Sequence, residues 1–140
     1  MNFDEFRIKH SDLIHFFQII EGDLKWIFAI MRKGDLDDNY AKVENLTLGQ
    51  IVNNLKTLDK SEGEQYISDS DYNFLKQMTE KRNYWRHVCY RDFLYVDNWE
   101  YSREYAEVCR KLQNDWNKLS VVYKNVEDAK IRANKFYGRN

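Results

Sequence analysis

Proline is absent from the 140-residue chain, and glycine occurs only five times. β-Rich and loop-rich domains need many turn residues of these types, whereas both damage helix interiors, so the composition predicts a nearly all-α protein. Cysteine is scarce as well. Cys89 and Cys109 match no zinc-ligand spacing and have no second pair, which argues against a secreted disulfide scaffold and for a reducing compartment, the cytoplasm. Charge of one sign is lacking: a formal net charge of −1 argues against coating nucleic acid by bulk electrostatics, though it leaves room for a local basic patch. No stretch approaches ~18 uninterrupted apolar residues, and the opening MNFDEFRIKH is acidic where a signal peptide would be basic and then apolar. Neither secretion nor membrane association is expected. What remains, 43% hydrophobic and 32% charged residues, suits one domain over residues 1–140. A globule of this size buries roughly two-thirds of its unfolded surface and needs no staple.

Apolar residues then recur at helical spacing. Leu13, Phe16, Phe17, Ile20, Leu24, Ile27, Phe28 and Met31 define a first helix over Ser11–Arg32, with Gly34 at the position of a C-terminal cap. Phe3, Phe6 and the Asn2/Glu5 pair leave its start open between the chain terminus and a break near His10. Thr47 and Gln50 form a capping box with Leu46 and Ile51 as a hydrophobic staple, so a short second helix follows Thr47 and precedes a polar loop, Asp59 to Gln65. A third helix begins near Ser68 or Ser70 and runs through Leu75, Met78, Trp85 and Cys89 to about Phe93. The fourth starts at Asp97, paired with Glu100, and continues past Val126, exceeding about thirty residues. This pattern reads as an antiparallel four-helix bundle.

Several constellations can be set aside on their spacing. Asp35, Asp37 and Asn39 imitate the opening of a calcium loop, but Tyr40 stands where glycine is needed and Leu46 where the bidentate carboxylate is needed, leaving a polar inter-helix loop. His10 and His15 lack the i, i+4 spacing that places two imidazoles on one metal. No metal and no cofactor are assigned. The aromatic residues, 16% of the chain, most simply fill a core.

One segment resists a purely structural account. On the third helix Phe74, Leu75, Met78, Trp85, Cys89 and Phe93 make an apolar arc, and Arg82 projects within or beside it. Asn83 and His87 are four residues apart on a neighbouring face, where an amide can fix the tautomer and direction of an imidazole. Arg86, Tyr90 and Thr79 lie between that face and Arg82. Guanidinium, imidazole, phenol and amide groups on one rigid element suit the binding and metal-free cleavage of a phosphodiester.

These residues read Arg-Asn-x-x-x-His, and here the sequence resembles the HEPN family, small four-helix proteins with an R-x4-6-H motif on a late helix, often with a polar residue after the arginine. Thr47-Leu48-Gly49-Gln50-Ile51 is similar to the Leu-Gly start of the second helix in one branch of HEPN-like proteins. In outline the resemblance covers Leu46 to Val126. It implies a metal-independent endoribonuclease, commonly the toxin of a toxin–antitoxin pair or a phage-defence effector, acting as a homodimer with both motifs at the interface. Arg82 would neutralise the scissile phosphate, His87 would move protons at the 2′-OH and 5′-oxygen, and Asn83 would orient His87. Arg86, Tyr90 and Arg91 would be auxiliary RNA contacts, and the tail cations Lys130, Arg132, Lys135 and Arg139 would either guide RNA or form a solvated helix end. Geometry agrees with dimerisation, because Arg82 and His87 stand about 140° apart around the helix and one pair does not converge easily on a single phosphate.

The same residues have a second reading. Arg82 can pair with a buried carboxylate across the bundle, and the domain then becomes a non-catalytic interaction or regulatory module, which the resemblance allows as the partner of a nucleotidyltransferase antitoxin. A helical adaptor without nucleic-acid function is the third class.

Overall fold

In a computed structural model, which describes residues 1–139, the chain is helical throughout, with no strand among the described residues. Five α-helices, α1 (Phe3–Met31), α2 (Leu36–Val43), α3 (Leu48–Ser61), α4 (Asp69–His87) and α5 (Arg103–Tyr137), are joined by connections of which the last, between α4 and α5, contains two 3-10 turns, at Cys89–Asp92 and Trp99–Tyr101. None of these helices is long and apolar enough to cross a membrane.

Of the two starts left open for the first helix, the structure has the earlier, at Phe3. The Asn2 side chain accepts the Glu5 backbone N–H at 2.8 Å, and Asp4 and Glu5 sit favourably at the positive helix end. This extension brings Phe6, fully buried, into the same apolar stripe as Leu13, Phe17, Ile20 and Leu24. At the other end Asn39 closes α1, donating its amide to the carbonyls of Ala29, Arg32 and Lys33, which the helix itself leaves unpaired.

Asn39 belongs to α2, so the segment expected to be an inter-helix loop is a short helix. Asp35 caps it, accepting from the Asp38 N–H, and Trp26 of α1 stacks on Tyr40 at 4.0 Å between centroids. Only Asn39 and Val43 of α2 are buried, too few to make a legible stripe. Lys25 completes the junction by donating to the Glu44 carbonyl at the C-terminal end of α2, at 2.8 Å.

The capping box at Thr47 and Gln50 is present in full, with Ile51 buried behind it. Gly49 has a packing reason: a Cβ there would lie 3.2 Å from the Thr79 methyl of α4, so the missing side chain lets α3 and α4 approach. The polar loop expected over Asp59 to Gln65 is corrected at its first three residues, Asp59 to Ser61, which continue α3. Asp59 lies inside α3, buried, and its carboxylate accepts the backbone N–H groups of Tyr66 and Ile67 and the Tyr72 hydroxyl. That carboxylate pins the α3–α4 connection to both helices. Ser68 then caps α4.

Two boundaries around the candidate motif also move. The third predicted helix, now α4, stops at His87 rather than Phe93, because the Cys89–Asp92 stretch tightens into a 3-10 turn that swings Phe93 into the core. The last helix begins at Arg103 under a Ser102 cap, not at Asp97, since Asn98 adopts a left-handed conformation (φ 52°) and Trp99 packs against Phe93 and Tyr105. Its 35 residues meet the expectation of an unusually long helix.

The expected antiparallel arrangement is corrected for the two longest helices. Phe6 packs on Tyr105, Phe16 on Trp116 and Tyr123, Lys130 bonds Asp23, and Arg139 bonds the Arg32 carbonyl. Residue numbers rise together, so α1 and α5 run parallel. Helix α4 opposes α5: Lys81 meets Asp115 near one end and Asp71 meets Asn125 near the other. The extra helix α2 adds one reversal between α1 and α3, so that after the reversals into α4 and into α5 the last helix runs in the direction of the first.

Removing the Asp59 carboxylate leaves two buried N–H groups and a phenol without an acceptor. Asp59→Ala should therefore cost about 3 kcal/mol. Urea titration should register the loss, while Asp37→Ala, on the exposed face of α2, should move the midpoint little.

Candidate functional site

The rotation of α4 is set by a buried carboxylate on α5. Asp115 accepts the Trp85 indole N–H at 2.9 Å and the Lys81 ammonium at 3.0 Å, two groups one turn apart on α4. With Trp85 buried against the core, Arg82 turns toward α1, where its Nη1 lies 3.4 Å from a Glu21 carboxylate oxygen. Neither side chain is sealed: Arg82 retains 19% and Glu21 18% of its side-chain exposure.

Asn83 and His87 emerge on the outer side of α4, both exposed. Among the described residues no hydrogen bond joins them, and neither side chain is engaged elsewhere. The geometry thus separates the motif into one residue held by a carboxylate and two facing solvent. Arg86 and Arg91 are exposed too. Tyr90 leaves the α4 stripe because the 3-10 turn carries it back onto α1, edge-on to Phe6 and to His10. Thr79 turns toward α3 and Gly49.

His10 is the residue that sequence reasoning left aside. Its Nε2 stands 2.6 Å from the Trp85 carbonyl, which can only accept, so Nε2 carries the proton and Nδ1 is the acceptor 3.5 Å from the Tyr90 hydroxyl. His10 therefore closes a free carbonyl in the last turn of α4 and seats the turn that follows. Its signal was the spacing Phe6, His10, Leu13 and Phe17, visible once α1 is extended to Phe3. Cys89 lies alongside, with Sγ 3.6 Å from Nε2. Burial away from water pushes the Cys89 thiol up to about 11 and raises the Tyr90 phenol.

The basic tail is largely committed to the fold. Lys130 pairs with Asp23, Arg132 donates to the Tyr66 carbonyl while lying over its ring, and Arg139 donates to the Arg32 carbonyl. Lys135 alone of the four has no such partner among the described residues. No group of three or more His, Cys, Asp or Glu side chains placed to hold a metal ion occurs among the described residues. Compared with known proteins, the chain matches no family model, no curated protein and no solved structure.

The raised Cys89 thiol has a consequence for stability. Its ordinary value is 9.0, so below pH 9 the thiol is protonated in both folded and unfolded chains. As pH climbs toward about 11, the unfolded chain releases this proton while the folded chain keeps it, and stability is lost. Urea midpoints measured from pH 8 to 10.5 should fall in this window, and Cys89→Ala should make the decline shallower.

Proposed function

We propose that the chain is a metal-independent endoribonuclease of HEPN type, with its helices forming a HEPN-like bundle and two copies joining across α4. The observation that carries this reading is the pairing of an oriented, part-exposed Arg82 with an unengaged, exposed His87 on one rigid helix. Burying an arginine at that position costs solvation, and a surface imidazole beside Asn83 serves no packing purpose.

In this reading Glu21 holds the Arg82 guanidinium through one 3.4 Å contact until a phosphate competes for it. The guanidinium then stabilises negative charge on the nonbridging oxygens as the RNA 2′-OH attacks phosphorus. His87 takes the 2′-hydroxyl proton or gives one to the departing 5′-oxygen. Asn83 aims the imidazole once RNA or a second subunit orders it. About 140° of helix rotation separates Arg82 from His87, so a partner's helix would complete the pair around each phosphate. Arg86 and Arg91, both exposed, would contribute secondary RNA contacts, whereas Tyr90 is turned onto α1 and is not among them.

The Arg82–Glu21 ion pair also favours a second reading, in which the guanidinium is spent on the fold and the domain is a non-catalytic regulatory partner of a nucleotidyltransferase. Cleavage chemistry separates the two. The ribonuclease reading expects single-stranded RNA to be cut with chelator present, yielding 2′,3′-cyclic phosphate and 5′-hydroxyl ends by mass spectrometry, and expects RNA methylated at the scissile 2′-OH to survive. His87→Ala should reduce the rate at least about 100-fold. Its melting temperature should stay near wild type, because His87 is exposed. Full activity in His87→Ala, or 5′-phosphate ends, would reject the assignment. Sedimentation at micromolar concentration should give a mass near twice that of the chain, and a clean monomer would remove the composite site.

A further inference from the structure

Between α4 and α5, on the flank of α4 away from Arg82, lies a cavity of about 400 Å³. Its lining includes four cations, Lys81, Arg110, Lys111 and Lys118, and one carboxylate, Asp115. In a chain with a formal net charge of −1 that concentration of positive charge is unusual. The acidic groups nearby are already committed: Asp115 is buried under Lys81 and Trp85, and Glu107 pairs with Arg110. Lys111 and Lys118 have no carboxylate partner among the described residues. Cations crowded against a low-dielectric wall attract an anion more strongly than the same charges spread over a surface.

The cavity also has an aromatic edge. Tyr84 lines it, its ring approached by the Lys111 ammonium at 5.9 Å and its hydroxyl fixed by Asp92 at 2.7 Å. The Asp92 bond and the edge-on packing on Trp85 hold the ring in place at the cavity edge. Lys81, Tyr84 and His87 follow one another at three-residue steps, an inclined row rising about 4.5 Å per step along α4. A strand leaving the cavity along this row meets the ring and then the exposed imidazole.

We infer that this cavity is a substrate subsite, holding phosphates of a single-stranded RNA segment beside the bond that His87 reaches, with a base against Tyr84. The inference deepens the ribonuclease reading and rests on it. Charge selects a polyanion, the aromatic edge selects one that carries bases, and the row to His87 selects a strand over a free nucleotide.

The test uses the full chain carrying His87→Ala, so that RNA stays intact, and a fluorescein-labelled 12-nucleotide single-stranded RNA read by anisotropy over a salt series. Adding Lys111→Ala with Lys118→Ala, both exposed positions, should weaken binding roughly tenfold and flatten the salt slope by about 1.4, the loss of two phosphate contacts. Lys33→Ala with Lys42→Ala, exposed lysines near α2, should change neither. Unchanged affinity and slope in the cavity variant would overturn the subsite. So would displacement of the RNA by inorganic phosphate at an equal concentration of phosphate groups, which would mark a simple anion site. The outcomes of the two proposals separate in the His87-containing chain. Cleavage with a KM indifferent to the cavity lysines rejects the subsite alone, and cavity-dependent binding without cleavage rejects the ribonuclease reading while the RNA site stands.

Discussion

The Asp115 carboxylate is the interaction on which the rest of the molecule turns. A buried carboxylate is costly to desolvate and is tolerated only where donors meet it, and here the donors are two side chains of α4 separated by one turn. Two attachments on one helix fix its rotation, not merely its position. Once Trp85 and Lys81 face α5, Arg82 must face α1 and Glu21, while Asn83 and His87 must face solvent. A second buried carboxylate, Asp59, plays the matching role at the start of α4 through Tyr72 and the Tyr66–Ile67 backbone. Helix α4 is thus held at both ends by oxygen atoms from its neighbours, leaving its outer face without structural duty.

Much of this was legible from residue patterns, and the parts that were not share a physical cause. The Thr47 cap, the apolar stripe of α4 and the length of α5 follow from local rules, because the residues concerned lie within a few turns of one another. The rotation of α4 was readable as well, since its apolar arc predicts a partly buried Arg82 beside exposed Asn83 and His87. Glu21, 61 positions away, was invisible to such rules. Helix α2 was missed because its stabilisation is tertiary: Asn39 serves the end of α1, and Tyr40 leans on Trp26. The start of α5 was misplaced for a related reason. Asp97 and Glu100 have capping chemistry, but the aromatic cluster of Phe93, Trp99 and Tyr105 holds the chain in another course. Propensity lost to packing in both places.

Positive charge is distributed with the same economy. In the C-terminal tail it is consumed by Asp23 and by backbone carbonyls, including one at the end of α1, where a cation complements the negative helix terminus. At the middle of α5 it is left over, and the cavity beside Lys111 and Lys118 is the result. Three of the four tail cations that look like an arm for RNA are fastenings, while lysines unremarkable in sequence gather where an anion can reach them.

The parallel course of α1 and α5 has a consequence for how the protein comes into being. Phe6 meets Tyr105, and Phe16 meets Trp116, across roughly 100 residues of intervening chain, a separation that slows formation of the core. On a ribosome adding about 5–20 residues per second, the apolar stripe of α1 waits on the order of 5–20 seconds for its partner to be made. During that interval α2, α3, α4 and the turn after α4 can cover only the faces of α1 on which they pack. The flank of α1 that α5 covers, Phe16 included, therefore stays bare until α5 is made, and any chain cut short within α5 emerges with that flank still exposed.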